Sequence, residues 1–311
     1  MSKKYSNIIF VLLFAVFLTV GAFFNPNDYE YQKNSDKLIS FLRGERDIYP
    51  IKKRYQSNVS SNSSASLVSL VNNEKRKNLF ELNSDSSFPM ASITKLMTAI
   101  VVIDNYKLEE KIVIDEKSIN TEGDPKKLVE NDVYTVKNLL YIMLVESNNE
   151  AAEVFANKIG RERFIRMMNK KAEIFKMKNT KYLNPTGLDI EDNEETNTTS
   201  PNDIGTLVMH IINNYPLIAN ILSKSEYSIF NENGNLRTSN NTNVLLAEDS
   251  DFIWGKTGFT EKAKGCLVII SRPPNFSFFE KNYIISIIMG AEDRFGEAKN
   301  FKAWTYNQFI W

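Results

Sequence analysis

The sequence predicts an α+β domain. Two observations carry this: apolar runs of strand character stand near both ends of the globular part, and the stretch between them shows helical spacing of apolar residues. A sheet assembled from distant parts of the chain, with a helical region inserted, satisfies both.

The first 24 residues stand apart from that domain. Lys3 and Lys4 precede the uncharged run Ile8 to Phe24, IIFVLLFAVFLTVGAFF, at the short end of the roughly 17–25 residues that cross a bilayer. A retained anchor is expected, because Phe23 and Phe24 extend the apolar run past Val20-Gly21-Ala22, the stretch at which a cleavable signal peptide would be cut. On either reading the lysines stay in the cytoplasm and the remainder is exported. Residues 25–64 include "NPNDYEYQKNSDK" and "SNVSSNSSAS", too rich in Asn and Ser to order themselves by apolar burial, and read as a polar tether. A short helix over Ser35 to Leu42 would interrupt it.

From residue 65 to 311 the reading is globular. "SLVSLV" and "NLFEL" around the polar turn "NNEKRK" form a β-hairpin pattern. In "RERFIRMMNKKAEIF" the residues Phe164, Ile165, Met168, Ala172 and Phe175 fall on one helical face. Cys266 to Ser271 and Tyr283 to Met289 are strand-like runs rich in Val and Ile, and a closing helix is expected to carry Phe301, Trp304 and Phe309. No internal repeat is apparent.

Composition then narrows the chemistry. The chain has 311 residues, 42% hydrophobic, with 38 Lys+Arg against 38 Asp+Glu, so no net field recruits nucleic acid. A single cysteine, Cys266, cannot form an internal disulfide, and a single histidine, His210, cannot build a histidine-rich metal site. His210 sits in the helical pattern "DIGTLVMHII" and reads as packing or surface rather than as the base of a Ser-His-Asp enzyme. Cys266 reads as a buried small hydrophobe. No metal or organic cofactor is expected.

"FPMASITKLMTAIVVID" places Ser92 and Lys95 three residues apart, on one helical face with Cβ atoms about 5–6 Å apart. A lysine that deprotonates a serine must be held neutral by burial and by a second positive charge nearby. Alone the pair is weak evidence, since Ser92 is equally a helix cap and Lys95 a side chain snorkelling to water. Two further elements follow in order: Ser147 and Asn149 in "MLVESNNEAAEVFA", and Lys256, Thr257 and Gly258 in "GKTGFTEKAKGCLVIIS". Ser-x-Asn also occurs at Ser118 to Asn120 and at Ser239 to Asn241, so order and surroundings single out Ser147. Ser-x-x-Lys, Ser-x-Asn and Lys-Thr-Gly in that order are the signature of penicillin-recognising serine enzymes.

Those elements, with "NTKYLNPTGLD", "TSPNDIG" and "NTNVLL", make the chain from about Ser66 onward resemble the serine D-alanyl-D-alanine carboxypeptidases, the low-molecular-weight penicillin-binding proteins of peptidase family S11. The resemblance implies a β-lactamase/DD-peptidase-like fold, an antiparallel sheet of about five strands flanked by helices with a helical subdomain inserted. It implies Ser92 as acyl-ester nucleophile, Lys95 as its base, Ser147 as proton relay, and Asn149 holding Lys95 and the substrate amide. Lys256 and Thr257 would receive the substrate carboxylate. Gly258 would leave room for a substrate strand, and the backbone N–H of Phe259 would join that of Ser92 in the oxyanion hole. Partners implied are peptidoglycan stem peptides and β-lactam antibiotics, with the membrane engaged through the N-terminal segment.

The family commonly has Gly and Asp where this chain has Asn148 and Glu150. Many relatives also carry a C-terminal β-domain, which is expected to be absent here. Two other readings compete. A β-lactamase of the same fold would need a loop carboxylate for deacylation, with Asp189, Glu191, Asp192, Glu194 and Glu195 as candidates; the flanking carboxypeptidase-like segments make these a solvated loop instead. A non-catalytic wall-binding or sensor protein is disfavoured because every chemical residue of the three elements is intact. The balance between carboxypeptidase and endopeptidase action, and the exact stem peptide, stay open at this level.

Overall fold

In a computed structural model the described residues are 51–53, 59–72, 75–119, 127–190, 195–274 and 282–311. The apolar N-terminal run, the helix expected over Ser35 to Leu42, and Glu191, Asp192 and Glu194 lie outside them. No helix among the described residues is long and apolar enough to cross a membrane.

The main sheet takes its first strands from β1 (Ala65–Asn72) and β2 (Lys75–Leu82). Helices α1 (Lys95–Asn105), α2 (Val136–Val145), α3 (Asn149–Ile159), α4 (Arg161–Ile174), α5 (Pro201–Asn214) and α6 (Pro216–Leu222) follow. A hairpin of β3 (Glu226–Phe230) and β4 (Leu236–Asn240) precedes strands β5 (Phe252–Thr260), β6 (Lys264–Ser271) and β7 (Asn282–Ala291), and helix α7 (Arg294–Gln308) completes the set. One five-stranded sheet has the order β5-β6-β7-β1-β2 and is antiparallel throughout. The α+β class, the early hairpin and the late strands are thus as the sequence predicts.

Both faces of the central strands are covered, which is why they read as unbroken apolar runs rather than as alternation. In β1, Ala65, Leu67 and Val71 join the core shared with the helices. Val68 on the other face stands opposite Phe80, whose ring centroid lies 5.1 Å from that of Phe301 and 6.0 Å from that of Trp304 on α7.

Local signals start the helices where the site needs them. The Thr135 side chain accepts from Asn138 N ahead of α2, and Asn148 accepts from Ala151 N ahead of α3. Ser200 accepts from Asp203 N with Pro201 in the first turn of α5. On α4, Phe164, Met168 and Ala172 are buried and Ile165 is half-buried. Phe175 caps that helix rather than lying within it and stacks on His210, ring centroids 3.7 Å apart. His210 is therefore a packing residue, its pKa lowered by burial and by Lys171. Cys266 is buried in β6, where burial pushes its thiol up to about 11.

Phe309 corrects an expectation. The closing helix ends at Gln308, and the extended backbone of Phe309 and Ile310 pairs antiparallel with Ile51 and Lys52 instead. Within the segment read as a polar tether, Ser61 Oγ donates to Glu297 Oε2 at 2.7 Å, and the backbone N–H of Ser64 donates to the Met289 carbonyl at 2.9 Å.

Candidate active site

Ser92 sits in a single 3-10 turn, Ala91–Thr94, that runs directly into α1. Ala91 has φ 45°, a left-handed conformation that is uncommon for a residue with a Cβ and worth noting ahead of a functional serine. The first eight residues of α1, Lys95 to Val102, are buried. Lys95 thus begins a core helix with its amine fully buried and turned back toward Ser92, the arrangement that the three-residue spacing predicts.

The partners of that amine define its chemistry. Lys95 Nζ lies 2.8 Å from Ser92 Oγ, 2.7 Å from Asn149 Oδ1 and 2.9 Å from the Thr186 carbonyl oxygen. The two carbonyl oxygens can only accept, whereas the serine hydroxyl can donate or accept. A neutral amine that gives both its protons to Asn149 and Thr186 therefore points its lone pair at the Ser92 hydroxyl. That is the geometry of a base poised to take the Ser92 proton.

Ser147 lies between the C-terminal cap of α2 and the N-cap of α3, with φ 63°. Left-handed backbone costs a residue with a Cβ roughly 1–2 kcal/mol. Its hydroxyl accepts from Lys256 Nζ at 2.7 Å, and the same amine donates to the Thr257 carbonyl at 2.9 Å. Lys256 is also buried. Its pKa is held well below the ordinary lysine value by burial first, then by the repulsion it would meet from a protonated Lys95 and from Arg294. The two buried lysines and Arg294 are thus close enough to disfavour one another's charged forms.

On β5, Thr257 Oγ1 is 2.6 Å from Thr242 Oγ1. Gly258 passes so close to the nucleophile turn that a Cβ there would stand 2.9 Å from Ser92 N and 3.0 Å from Ala91 Cβ. The glycine is required by this approach of two backbones. Phe259 follows on the same strand with its side chain 56% exposed, so its place beside the turn is a matter of backbone rather than burial.

All eight residues singled out in the sequence, Ser92, Lys95, Ser147, Asn149, Lys256, Thr257, Gly258 and Phe259, belong to one connected region: α1 and its leading turn, the α2–α3 junction, and β5. Four contributions were missed. The Thr186 carbonyl is delivered by the turn "NPTG", where Asn184 Oδ1 accepts from Thr186 N at 3.2 Å and Gly187 N at 2.7 Å. Asn197, fully buried, braces this turn by accepting from Leu183 N and Asn184 N and donating to Thr94 Oγ1 and the Asn184 carbonyl. Arg294 Nη1 donates to the Gly258 carbonyl at 3.3 Å. Glu146, next to Ser147, is buried against Arg237 at 2.6 Å. The Asn-Pro-Thr-Gly turn signal was readable; the others depend on long-range pairing.

The loop acids divide. Asp189 is no solvated side chain: it accepts from Thr260 Oγ1 at 3.0 Å and from Lys262 N at 3.1 Å, because the loop folds onto the β5–β6 turn. Glu195 is exposed and pairs with Lys181.

Comparison with known proteins identifies the family. The D-alanyl-D-alanine carboxypeptidase family model, peptidase family S11, matches residues 53–293. A D-alanyl-D-alanine endopeptidase of Pseudomonas aeruginosa is 32% identical over 241 residues, 73% of each chain. Among solved structures, a D-alanyl-D-alanine carboxypeptidase of Mycobacterium tuberculosis superposes with TM-score 0.72 at 21% identity, covering 85% of this chain and 99% of that one. The cefotaxime-bound penicillin-binding protein D2 of Listeria monocytogenes gives TM-score 0.67 at 24% identity, over 81% of this chain and 100% of that one. At these identities the two structures establish the fold, and the family rests on the sequence match: the chain belongs to the D-alanyl-D-alanine carboxypeptidase family of serine peptidases.

Proposed function

We propose that the protein is a serine-type D-alanyl-D-alanine carboxypeptidase that trims peptidoglycan stem peptides through an acyl-enzyme, and that it is acylated by β-lactams. The observation that carries this is Lys95 Nζ, buried between Ser92 Oγ and Asn149 Oδ1. Ser92 Oγ attacks the carbonyl between the two terminal D-alanines as Lys95 takes its proton. The backbone N–H groups of Ser92 and Phe259 receive the developing oxyanion, a contribution of about 10²–10³ in rate per donor. The proton passes through Ser147 to the amide nitrogen, the C–N bond breaks and D-alanine leaves. Water then attacks the Ser92 ester, and the shortened peptide departs with Ser92 and Lys95 restored. The terminal carboxylate is held by Thr257 and by Lys256, whose protonated form the arriving carboxylate itself favours.

The β-lactamase alternative has less support: Asp189, a candidate deacylation acid, is committed to Thr260 and Lys262. The membrane anchor is part of the proposal and rests on the lysine-flanked run Ile8 to Phe24. It places the catalytic domain outside the cytoplasm, tethered through residues 25–64.

The test uses purified protein with a peptide ending in D-Ala-D-Ala, and a fluorescent penicillin. D-alanine release and a long-lived penicillin adduct, both lost in Ser92→Ala, are expected. Rapid penicillin turnover without peptide cleavage would move the protein to the β-lactamases, and binding without any acylation would leave a non-catalytic wall-binding protein. Recovery of full-length protein in the membrane fraction, and its release on deletion of residues 1–24, tests the anchor.

A further inference from the structure

Ser147 holds a left-handed backbone that nothing in its own side chain favours, at φ 63°. Such a conformation persists where the surroundings over-determine it. On its C-terminal side the restraint is local: Asn148 caps α3 through Ala151 N at 2.8 Å, and Asn149 is tied to Lys95. On its N-terminal side stands Glu146, a buried carboxylate that takes both prongs of Arg237. Nε donates to Oε1 at 2.7 Å and Nη2 to Oε2 at 2.6 Å. Tyr227 Oη donates to the same carboxylate.

Arg237 and Tyr227 come from the hairpin β3–β4, about 80 to 90 residues beyond Ser147 in sequence. The same guanidinium reaches a second segment: Nη1 donates to the Lys127 carbonyl at 3.1 Å. Leu128 N, next along, donates to Glu150 at 2.6 Å, and Lys127 Nζ pairs with that carboxylate at 3.0 Å. Glu146 and Glu150, the buried carboxylates that bracket Ser147 to Asn149, are therefore both fastened to a structure organised by one arginine. A planar two-pronged pair fixes direction as well as distance, which a lysine in the same place does not.

We propose that the buried Arg237–Glu146 pair is the positioning device that holds the Ser147 hydroxyl on Lys256, so that the β3–β4 hairpin sets the geometry of proton delivery to the leaving group. This rests on the carboxypeptidase reading of the site. Neither residue touches substrate; both act through Ser147.

The experiment measures kcat and KM for D-alanine release and the rate of acylation by a fluorescent penicillin, beside the thermal midpoint, for wild type, Arg237→Lys and the double variant Glu146→Leu/Arg237→Met. The double variant removes the pair as a unit and leaves no orphan charge in the core. Arg237→Lys keeps a cation beside Glu146 and is the variant that decides should the double variant not fold. The expected result, read on protein with wild-type circular dichroism, is a loss in kcat of about tenfold or more with KM within about twofold, the size of a misplaced proton-transfer group. A role in stability alone would lower the thermal midpoint and leave kcat per folded molecule within about twofold of wild type, and that result overturns the proposal. A wild type that releases no D-alanine and takes up no penicillin would instead overturn the reading of the site on which the proposal rests.

Discussion

The Thr186 carbonyl oxygen lies 2.9 Å from Lys95 Nζ, across 91 residues of sequence. Because a carbonyl can only accept, this contact and the one from Asn149 together assign the direction in which the amine presents its lone pair. The basicity of position 95 is thus a property of three segments at once.

Replacing Lys95 by arginine puts a permanent cation in place of a titratable amine and so discards the base, since a guanidinium does not deprotonate in a protein. Acylation of Lys95→Arg by a fluorescent penicillin is expected to fall by about 10²–10⁴, the range for loss of a general base. An acylation rate near wild type would mean that some other group removes the Ser92 proton.

Gly258→Ala brings a methyl to 2.9 Å from Ser92 N and 3.3 Å from the Met90 carbonyl. Backbone on both sides cannot yield cheaply, so β5 must retreat from the nucleophile turn and carry the Phe259 amide with it. The expected outcome is a drop in kcat of about tenfold to a hundredfold, a fraction of one oxyanion donor. The forced shift should also cost about 1–3 kcal/mol of stability, so an unfolding midpoint should be recorded beside the kinetics.

Asn197→Ala removes the acceptor of Leu183 N and Asn184 N and the donor to Thr94 Oγ1 in a fully buried site. Orphaned buried groups cost about 1–3 kcal/mol each, and a loss of about 2–4 kcal/mol by denaturant unfolding is expected. Because Asn197 braces the turn that bears Thr186, penicillin acylation should also slow.

The lowered pKa of Lys256 has a thermodynamic sign. Its folded value lies well below the unfolded one, near 10.4 for a free lysine, at roughly which pH the effect ends. Between the two values the unfolded chain binds a proton that the folded chain does not, so stability rises with pH across that window and is flat on either side of it. Tyr106, Tyr182, Tyr227 and Tyr306 have pKa values raised by burial and act oppositely at alkaline pH. The clean observable is therefore wild type minus Lys256→Met, followed by guanidinium unfolding from roughly pH 7 to 10. A flat difference would contradict the depressed value. Arg294→Met, which removes one of the repelling cations, should raise the lower edge of the window.

The sequence revealed the chemistry more fully than its supports. Ser92, Lys95, Ser147, Asn149 and the Lys256 to Phe259 run were legible because each is a side-chain type in a local pattern, and the sheet was legible because strands such as Cys266 to Ser271 are continuous apolar runs. Thr186 acts through a backbone carbonyl, for which residue type carries no signal. Arg237 and Glu146 are ordinary charges until the hairpin folds over and buries them together. Asp189 read as one acid among several, and only the packing of its loop on Thr260 and Lys262 distinguishes it. Phe309 reads as helical because aromatic spacing cannot reveal that the backbone turns extended directly after Gln308.

The strand order β5-β6-β7-β1-β2 also dictates when this molecule can come into being. β1 has no inner neighbour until β7 exists, and β7 spans Asn282–Ala291, about 200 residues after β1. A nascent chain that stops short of β7 therefore offers hairpins and helices without their joining strand, and the sheet closes only once β7 has been made. Such closure across the whole domain is a slow, non-local event. Chains shortened before Asn282 should accumulate as protease-sensitive, penicillin-blind fragments even though Ser92, Lys95, Ser147, Asn149 and the Lys256 to Phe259 run have all been made.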